Sequence, residues 1–196
     1  LNSTGSGFDV GSFYNSGASA TFSGPVTLNG GLLKLNRTLL ANEFTVNGGS
    51  IFLDNGFPNT LTGAIALNVN LNVTSQYGNH ELSGGISGLG GINMTSLAGG
   101  GLDLSGTNTY SGTTTISAGV IRLDHANALQ NSTVSNGITD GLVFGTGITS
   151  ATIGGLSGAS GNLATIFSSG YGSVTTLTLN PQSGVSVSYG GIISNG

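Results

Sequence analysis

The sequence predicts an all-β fold, a β-solenoid in which short strands coil around a common axis. Three observations favour it: glycine supplies 37 of the 196 residues, charged residues make up 5%, and a short apolar–polar template recurs along the chain. Lys and Glu are too scarce to give an amphipathic helix a polar face. A hydrophobic content of 37% with a net charge of −4 argues against disorder. The length fits a single domain, 1–196.

The recurring template consists of two short strands that meet at a glycine corner. Its shared order is apolar, Thr, apolar, then Asn or Ser with Gly, and then alternating apolar and polar residues. The two clearest copies are VTLNGGLLKLN and FTVNGGSIFLD, and looser copies lie at 114–124 and 177–188.

Two architectures could use this template. Asn-Gly between alternating runs is a strong signal for an antiparallel hairpin, which would give a β-sandwich or meander. The copies are at least 18 residues apart, however, and that distance leaves room for a full coil of a solenoid. Stacked coils place like residues above one another, so like charges would repel, which explains the low charge. At roughly 20 residues per coil, we expect about ten coils and a rod around 45 to 50 Å long.

The second half of the chain resembles a known repeat. LSGTNTYSGTTTISAGVIRL, residues 104–123, resembles the autotransporter passenger-associated β-strand repeat. Segments 125–134 and 152–163 resemble its continuation, and 81–92 and 188–196 resemble its opening element, so 82–187 approximates one repeat unit. Residues 1–80 match only in style, and the sequence has TSLA at 95–98 where the family commonly has a lysine.

The resemblance implies a right-handed parallel β-helix at a Gram-negative cell surface. Export would depend on an outer-membrane β-barrel translocator elsewhere in the full-length protein. Both ends of the chain fall within the pattern, so we expect 1–196 to be an excerpt of a longer surface protein.

Five residues of the repeat are interpreted as structural. Gly106 and Gly112 suit corners that need positive φ, and Asn108 suits a hydrogen bond to its local backbone. Tyr110 is expected to pack over a corner with its hydroxyl in water. Gly119 belongs to the same structural motif.

No catalytic site is predicted. No short motif pairs two of the seven acidic residues, although stacking of coils could still bring two together. A β-helix polysaccharide lyase would need a basic residue among acidic ones, and Arg122 with Asp124 is the best candidate. Ile121 and Leu123 would face the other side of that strand. An exposed pair two residues apart is, however, typical of a solvated surface contact.

No cofactor or metal site is predicted either. The chain has no cysteine, and its two histidines each adjoin an acidic residue, as His80-Glu81 and Asp124-His125. Neighbouring strand residues point to opposite sides, so neither pair chelates a metal by itself. We interpret both histidines as exposed turn residues.

Charge limits the partners. Three basic residues and a sequence pI near 4.6 exclude a nucleic-acid backbone as a ligand. We expect a non-catalytic extracellular stalk or adhesin segment of a bacterial surface protein. The alternatives are a self-assembling fibre subunit that associates end to end, and a β-helix that binds or cleaves carbohydrate. Outward aromatic residues are candidates for contact with a host surface or glycan: Phe52, Tyr77 and Tyr171.

Overall fold

The structure is a computed structural model that describes residues 2–3, 8–10, 24–54, 57–159, 161–163 and 174–194. Regular structure in these residues is entirely β, with no helix. The strands are β1 (Asn2–Ser3), β2 (Phe8–Val10), β3 (Val26–Asn36), β4 (Leu39–Leu40), β5 (Phe44–Asp54), β6 (Thr60–Leu61), β7 (Ile65–Leu67), β8 (Leu71–Gln76), β9 (Asn79–Leu82), β10 (Ile86–Gly88), β11 (Ile92–Leu97), β12 (Gly101–Leu104), β13 (Thr114–Ile116), β14 (Val120–Leu123), β15 (Leu129–Asn136), β16 (Leu142–Phe144), β17 (Ser150–Ser157) and β18 (Thr176–Leu179).

The strands form two sheets in which all neighbours of the described chain pair in parallel. One sheet has twelve strands, and the other has six in the order β16-β14-β12-β9-β6-β4. Successive turns of the chain therefore stack on each other, which confirms the β-solenoid. The antiparallel alternative was wrong because Asn-Gly does not reverse the chain here. At Asn29-Gly30 and Asn47-Gly48 the chain bends within β3 and β5 and continues into the second half of the same strand.

The bend divides each layer of the larger sheet into two segments. β7 pairs with the first part of β5, and β8 pairs with its second part. Left-handed glycines at the bend, Gly31 (φ 72°) and Gly49 (φ 88°), let the chain turn the corner. The template of two short strands meeting at a glycine corner is therefore confirmed in these two copies.

The core is built from stacks of like residues. Along the smaller sheet, one buried residue of each strand lies in register with its counterpart on the next coil. This leucine stack consists of Leu40, Leu61, Leu82, Leu104, Leu123 and Phe144. Parallel pairing without a one-residue slip keeps every member of the stack on the inner face.

The smaller sheet shows about six coils among the described residues. The larger sheet continues over nine successive strands, from β1 to β18, so the expected ten coils for the whole sequence exceed what the described residues show. The offset between coils is 18 residues between β3 and β5 and 21 residues between Thr38, Asn59 and His80. Later the offset grows to 26 residues between Thr149 and Thr175 and to 30 between Asn162 and Ile192.

Replacing Leu104 with alanine should leave a cavity in the middle of the leucine stack. We expect Leu104→Ala to lower the free energy of unfolding by about 2–5 kcal/mol, measured by urea denaturation. Leu89→Ala is the control, because the Leu89 side chain is 83% exposed and should change stability little. Equal effects of the two substitutions would contradict the stacked core.

Candidate functional site

The two motif glycines at 106 and 112 are required for close approach between coils. Neither has positive φ, so that part of the prediction was wrong. A Cβ at Gly106 would lie 2.6 Å from the carbonyl oxygen of Gly84 on the preceding coil. A Cβ at Gly112 would collide with the backbone of Gly90 and Gly91. Gly119 does have positive φ, 80°, at the corner that leads into β14.

Asn108 connects three coils. Its Oδ1 accepts from the backbone N–H of Ile86 at 2.9 Å, and its Nδ2 donates to the carbonyl of Ala128 at 2.9 Å. The prediction of a local turn bond was wrong, because both partners are 20 or more residues away. The side chain is buried and replaces a direct backbone bond at a place where the strands separate, so its role is structural.

Tyr110 is also buried, hydroxyl included. Its hydroxyl bonds to Thr114 Oγ1 at 2.7 Å, and Thr114 Oγ1 bonds to Ser132 Oγ at 2.8 Å. Ser132 then donates to the carbonyl of Gly112. The expected contact of the hydroxyl with water was wrong, and burial raises the pKa of Tyr110. This chain of hydroxyls fixes the corner internally and leaves Tyr110 no access to a ligand.

An inner polar column crosses the first three coils beside the smaller sheet. It consists of Thr38, Asn59 and His80, all buried. The backbone N–H of Thr38 donates to Asn59 Oδ1 at 3.0 Å, and the backbone N–H of Asn59 donates to His80 Nδ1 at 3.0 Å. The other ring nitrogen of His80 lies 3.3 Å from the carbonyl of Gln76.

The prediction that His80 is an exposed turn residue was wrong. Its side chain points inward while that of Glu81 points outward, in keeping with strand alternation. Because Nδ1 accepts from the backbone of Asn59, Nε2 carries the proton and donates to Gln76. Burial is the largest influence and lowers the pKa of His80, against the opposing effect of the Gln76 carbonyl. The folded protein thus holds His80 neutral.

His80 should make folding sensitive to mild acid. The pKa in the folded state lies below the ordinary value of 6.5, so below pH 6.5 the unfolded chain takes up a proton that the folded chain does not. The contribution of neutral His80 to the free energy of unfolding is therefore complete above pH 6.5 and falls as the pH drops below that value. In urea denaturation at pH 7.5 and 5.0, native protein should lose more stability than His80→Gln. The control is His125→Gln, and a constant gap between native protein and His80→Gln would contradict this assignment.

A charged column lies on the outer face of the smaller sheet, formed by Glu81, Asp103 and Arg122 on successive coils. Arg122 Nη2 donates to Asp103 Oδ2 at 2.6 Å and to Asp124 Oδ2 at 2.8 Å. The pairing of Arg122 with Asp124 is confirmed. Asp103 is the partner that the sequence did not indicate, because it lies 19 residues away and its place depends on the strand register.

Asp103 is the most perturbed acid of this column. Its side chain is 9% exposed, and Oδ1 is buried without a hydrogen-bond partner in the described part of the chain. Burial raises the pKa of Asp103 to about 6, Arg122 opposes the rise, and the negative charges of Asp124 and Glu81 add to it. Glu81 is separately engaged, because Ser105 Oγ donates to its Oε1 at 2.6 Å.

The charged column offers few groups that could react with a substrate or bind a metal. Asp103 is too enclosed to reach a polymer substrate, and Arg122 already bonds two carboxylates. Within the described ranges, no three His, Cys, Asp or Glu side chains are grouped so that they could hold a metal ion. Through its bond to Asp103, Arg122 joins two neighbouring coils. In the described residues, no helix is long and apolar enough to cross a membrane.

Asp103→Asn should remove the loss of stability that Asp103 causes as the pH rises from 4 to 7. A pKa raised from 3.8 to about 6 means that the folded chain keeps a proton that the unfolded chain releases. This favours folding at about pH 4 and is lost as the pH rises through 6. From pH 4 to pH 7, the variant should gain up to about 3 kcal/mol relative to native protein in urea denaturation. Asp140→Asn is the control, and no gain by Asp103→Asn would contradict the assignment.

The structure describes two of the three aromatic residues that were expected to contact a host surface or glycan. Phe52 is half-buried on the outer face of β5, with Lys34 Nζ 5.7 Å from its ring centroid. Tyr77 is exposed at a corner. Tyr171 lies outside the described residues.

Comparison with known proteins found no matching family model, no similar curated protein and no similar solved structure.

Proposed function

We propose that this chain is a non-catalytic structural segment, the shaft of an extracellular stalk or adhesin. The observation that carries the proposal is the continuous parallel pairing from coil to coil, reinforced by side-chain ladders. Asn47 Nδ2 donates to Asn29 Oδ1 at 2.8 Å, and Asn68 Nδ2 donates to Asn47 Oδ1 at 2.7 Å. Strand pairing joins each coil to the coil before and the coil after it, so such a rod can be lengthened without a larger core. Gln182, which follows β18, also reaches further, because its Nε2 donates to the carbonyls of Ser111 and Asn131.

We propose that the protein lies at the bacterial cell surface, because residues 104–123 resemble the autotransporter passenger repeat. Support comes from the role of its residues, because Asn108 and the chain of hydroxyls at Tyr110 hold neighbouring coils together. A repeat used for elongation needs such bonds between coils. The proposal includes an outer-membrane β-barrel translocator elsewhere in the full-length protein.

Immunogold labelling of intact producing cells tests the proposal. Antibody raised against the folded chain should label thin projections outside the outer membrane, and protease added to intact cells should remove the label. Labelling that requires cell lysis would overturn the surface location. Electron micrographs of the purified protein should show separate short rods, whereas long filaments of even width would favour a self-assembling fibre. Depolymerisation of any glycan in a broad panel, lost in Arg122→Ala, would favour an enzyme.

A further inference from the structure

One corner of the solenoid exposes an unusual set of side chains. Arg37, Phe57 and Tyr77 lie on three successive coils, each in the short connection just before a member of the inner polar column, Thr38, Asn59 and His80. Phe57 is 52% exposed, Tyr77 is 49% exposed, and Arg37 is half-buried. The guanidinium carbon of Arg37 lies 3.8 Å from the centroid of the Phe57 ring. We call this set the Arg–Phe–Tyr corner.

The backbone at this corner is strained where it presents those side chains. Arg37 and Tyr77 both have φ of 53°, a left-handed conformation that favours glycine or asparagine. Ala98, at the same corner on the next coil, also has φ of 53°. A large side chain in this conformation opposes folding, and neither Arg37 nor Tyr77 contributes to the core. Ala98 shows that the corner itself adopts this conformation, so the distinguishing feature is the size of the side chains at Arg37 and Tyr77. Large side chains kept at strained positions outside the core point to a role outside the fold.

The charge at this corner is positive in an acidic chain. Lys34 and Arg37 are two of the three basic residues of the protein. The nearby Asp54 is neutralised by Lys34, whose Nζ lies 3.0 Å from Asp54 Oδ2. Among the described residues, no hydrogen-bond acceptor or acidic partner engages the Arg37 guanidinium, which lies over the Phe57 ring. Its planar set of N–H donors matches a carboxylate.

We propose that the Arg–Phe–Tyr corner binds a carboxylated polysaccharide. Arg37 pairs with a uronate carboxylate, and the exposed rings of Phe57 and Tyr77 provide flat apolar surfaces with a polar hydroxyl for the sugar faces. A polymer is favoured over a single sugar, because the three side chains occupy successive coils spaced about 4.8 Å apart along the axis. This site goes beyond the proposed shaft function and does not depend on it.

Binding of labelled polygalacturonate to the whole chain tests the proposal, with dextran and poly-L-glutamate as comparison polymers. Native protein should bind polygalacturonate, more weakly as salt is added, and should bind dextran and polyglutamate at least about tenfold more weakly. No binding of polygalacturonate would overturn the proposal. Equal binding of polyglutamate would also overturn it and would indicate a site for acidic peptides.

Substitution by asparagine separates binding from folding. Arg37→Asn and Tyr77→Asn should each weaken polygalacturonate binding at least about tenfold, while the thermal unfolding midpoint stays the same or rises because strain is relieved. Ala98→Asn is the matched control: it relieves the same strain on the next coil and should leave binding unchanged. Full binding by Arg37→Asn or Tyr77→Asn would overturn the site, and so would an equal loss of binding in Ala98→Asn.

Discussion

Parallel backbone pairing between successive coils is the constraint on which the rest of the structure depends. Because each strand lies directly on its counterpart, a residue has two fixed neighbours, one on the coil before and one on the coil after. Apolar residues therefore form stacks such as Leu82, Leu104 and Leu123, and exposed asparagines form ladders. The same geometry makes stacked like charges costly, which explains why only 5% of the residues are charged.

On the smaller sheet, the register can supply a partner for a charged side chain. In the charged column, Arg122 stands next to Asp103 and bonds Asp124 as well, so one guanidinium serves two acids. The neighbour on the other side of Asp103 is Glu81, another acid, and no counter-charge lies between them in the register. Burial and that repulsion together raise the pKa of Asp103. The Arg–Phe–Tyr corner contrasts with this column, because it keeps a half-buried cation against an aromatic ring and without an acidic partner among the described residues.

The sequence was sufficient for the fold class because the fold repeats. The copies at Val26–Asn36 and Phe44–Asp54 are so alike that their register can be read from the letters. The structure pairs them in that register on both sides of the glycine corner, with an irregularity at Asn29, which lies opposite Gly48. Individual roles were harder to predict, because they depend on contacts between coils. The burial of His80, the bond between Arg122 and Asp103 and the bridges of Asn108 all require the exact offset between layers, which varies from 18 to 30 residues. Nothing in the residue types of Arg37 and Tyr77 predicts their left-handed conformation. Gly106 and Gly112 were predicted to need positive φ, whereas the structure requires glycine there because the neighbouring coil lies too close for a Cβ.

The most direct test of coil stacking is X-ray diffraction from partially aligned purified protein. The account predicts a strong reflection at about 4.8 Å along the long axis of the particles, because the strands lie across that axis and stack along it. A reflection of this spacing perpendicular to the long axis, or a compact particle with no preferred direction, would contradict the solenoid and with it the proposed shaft.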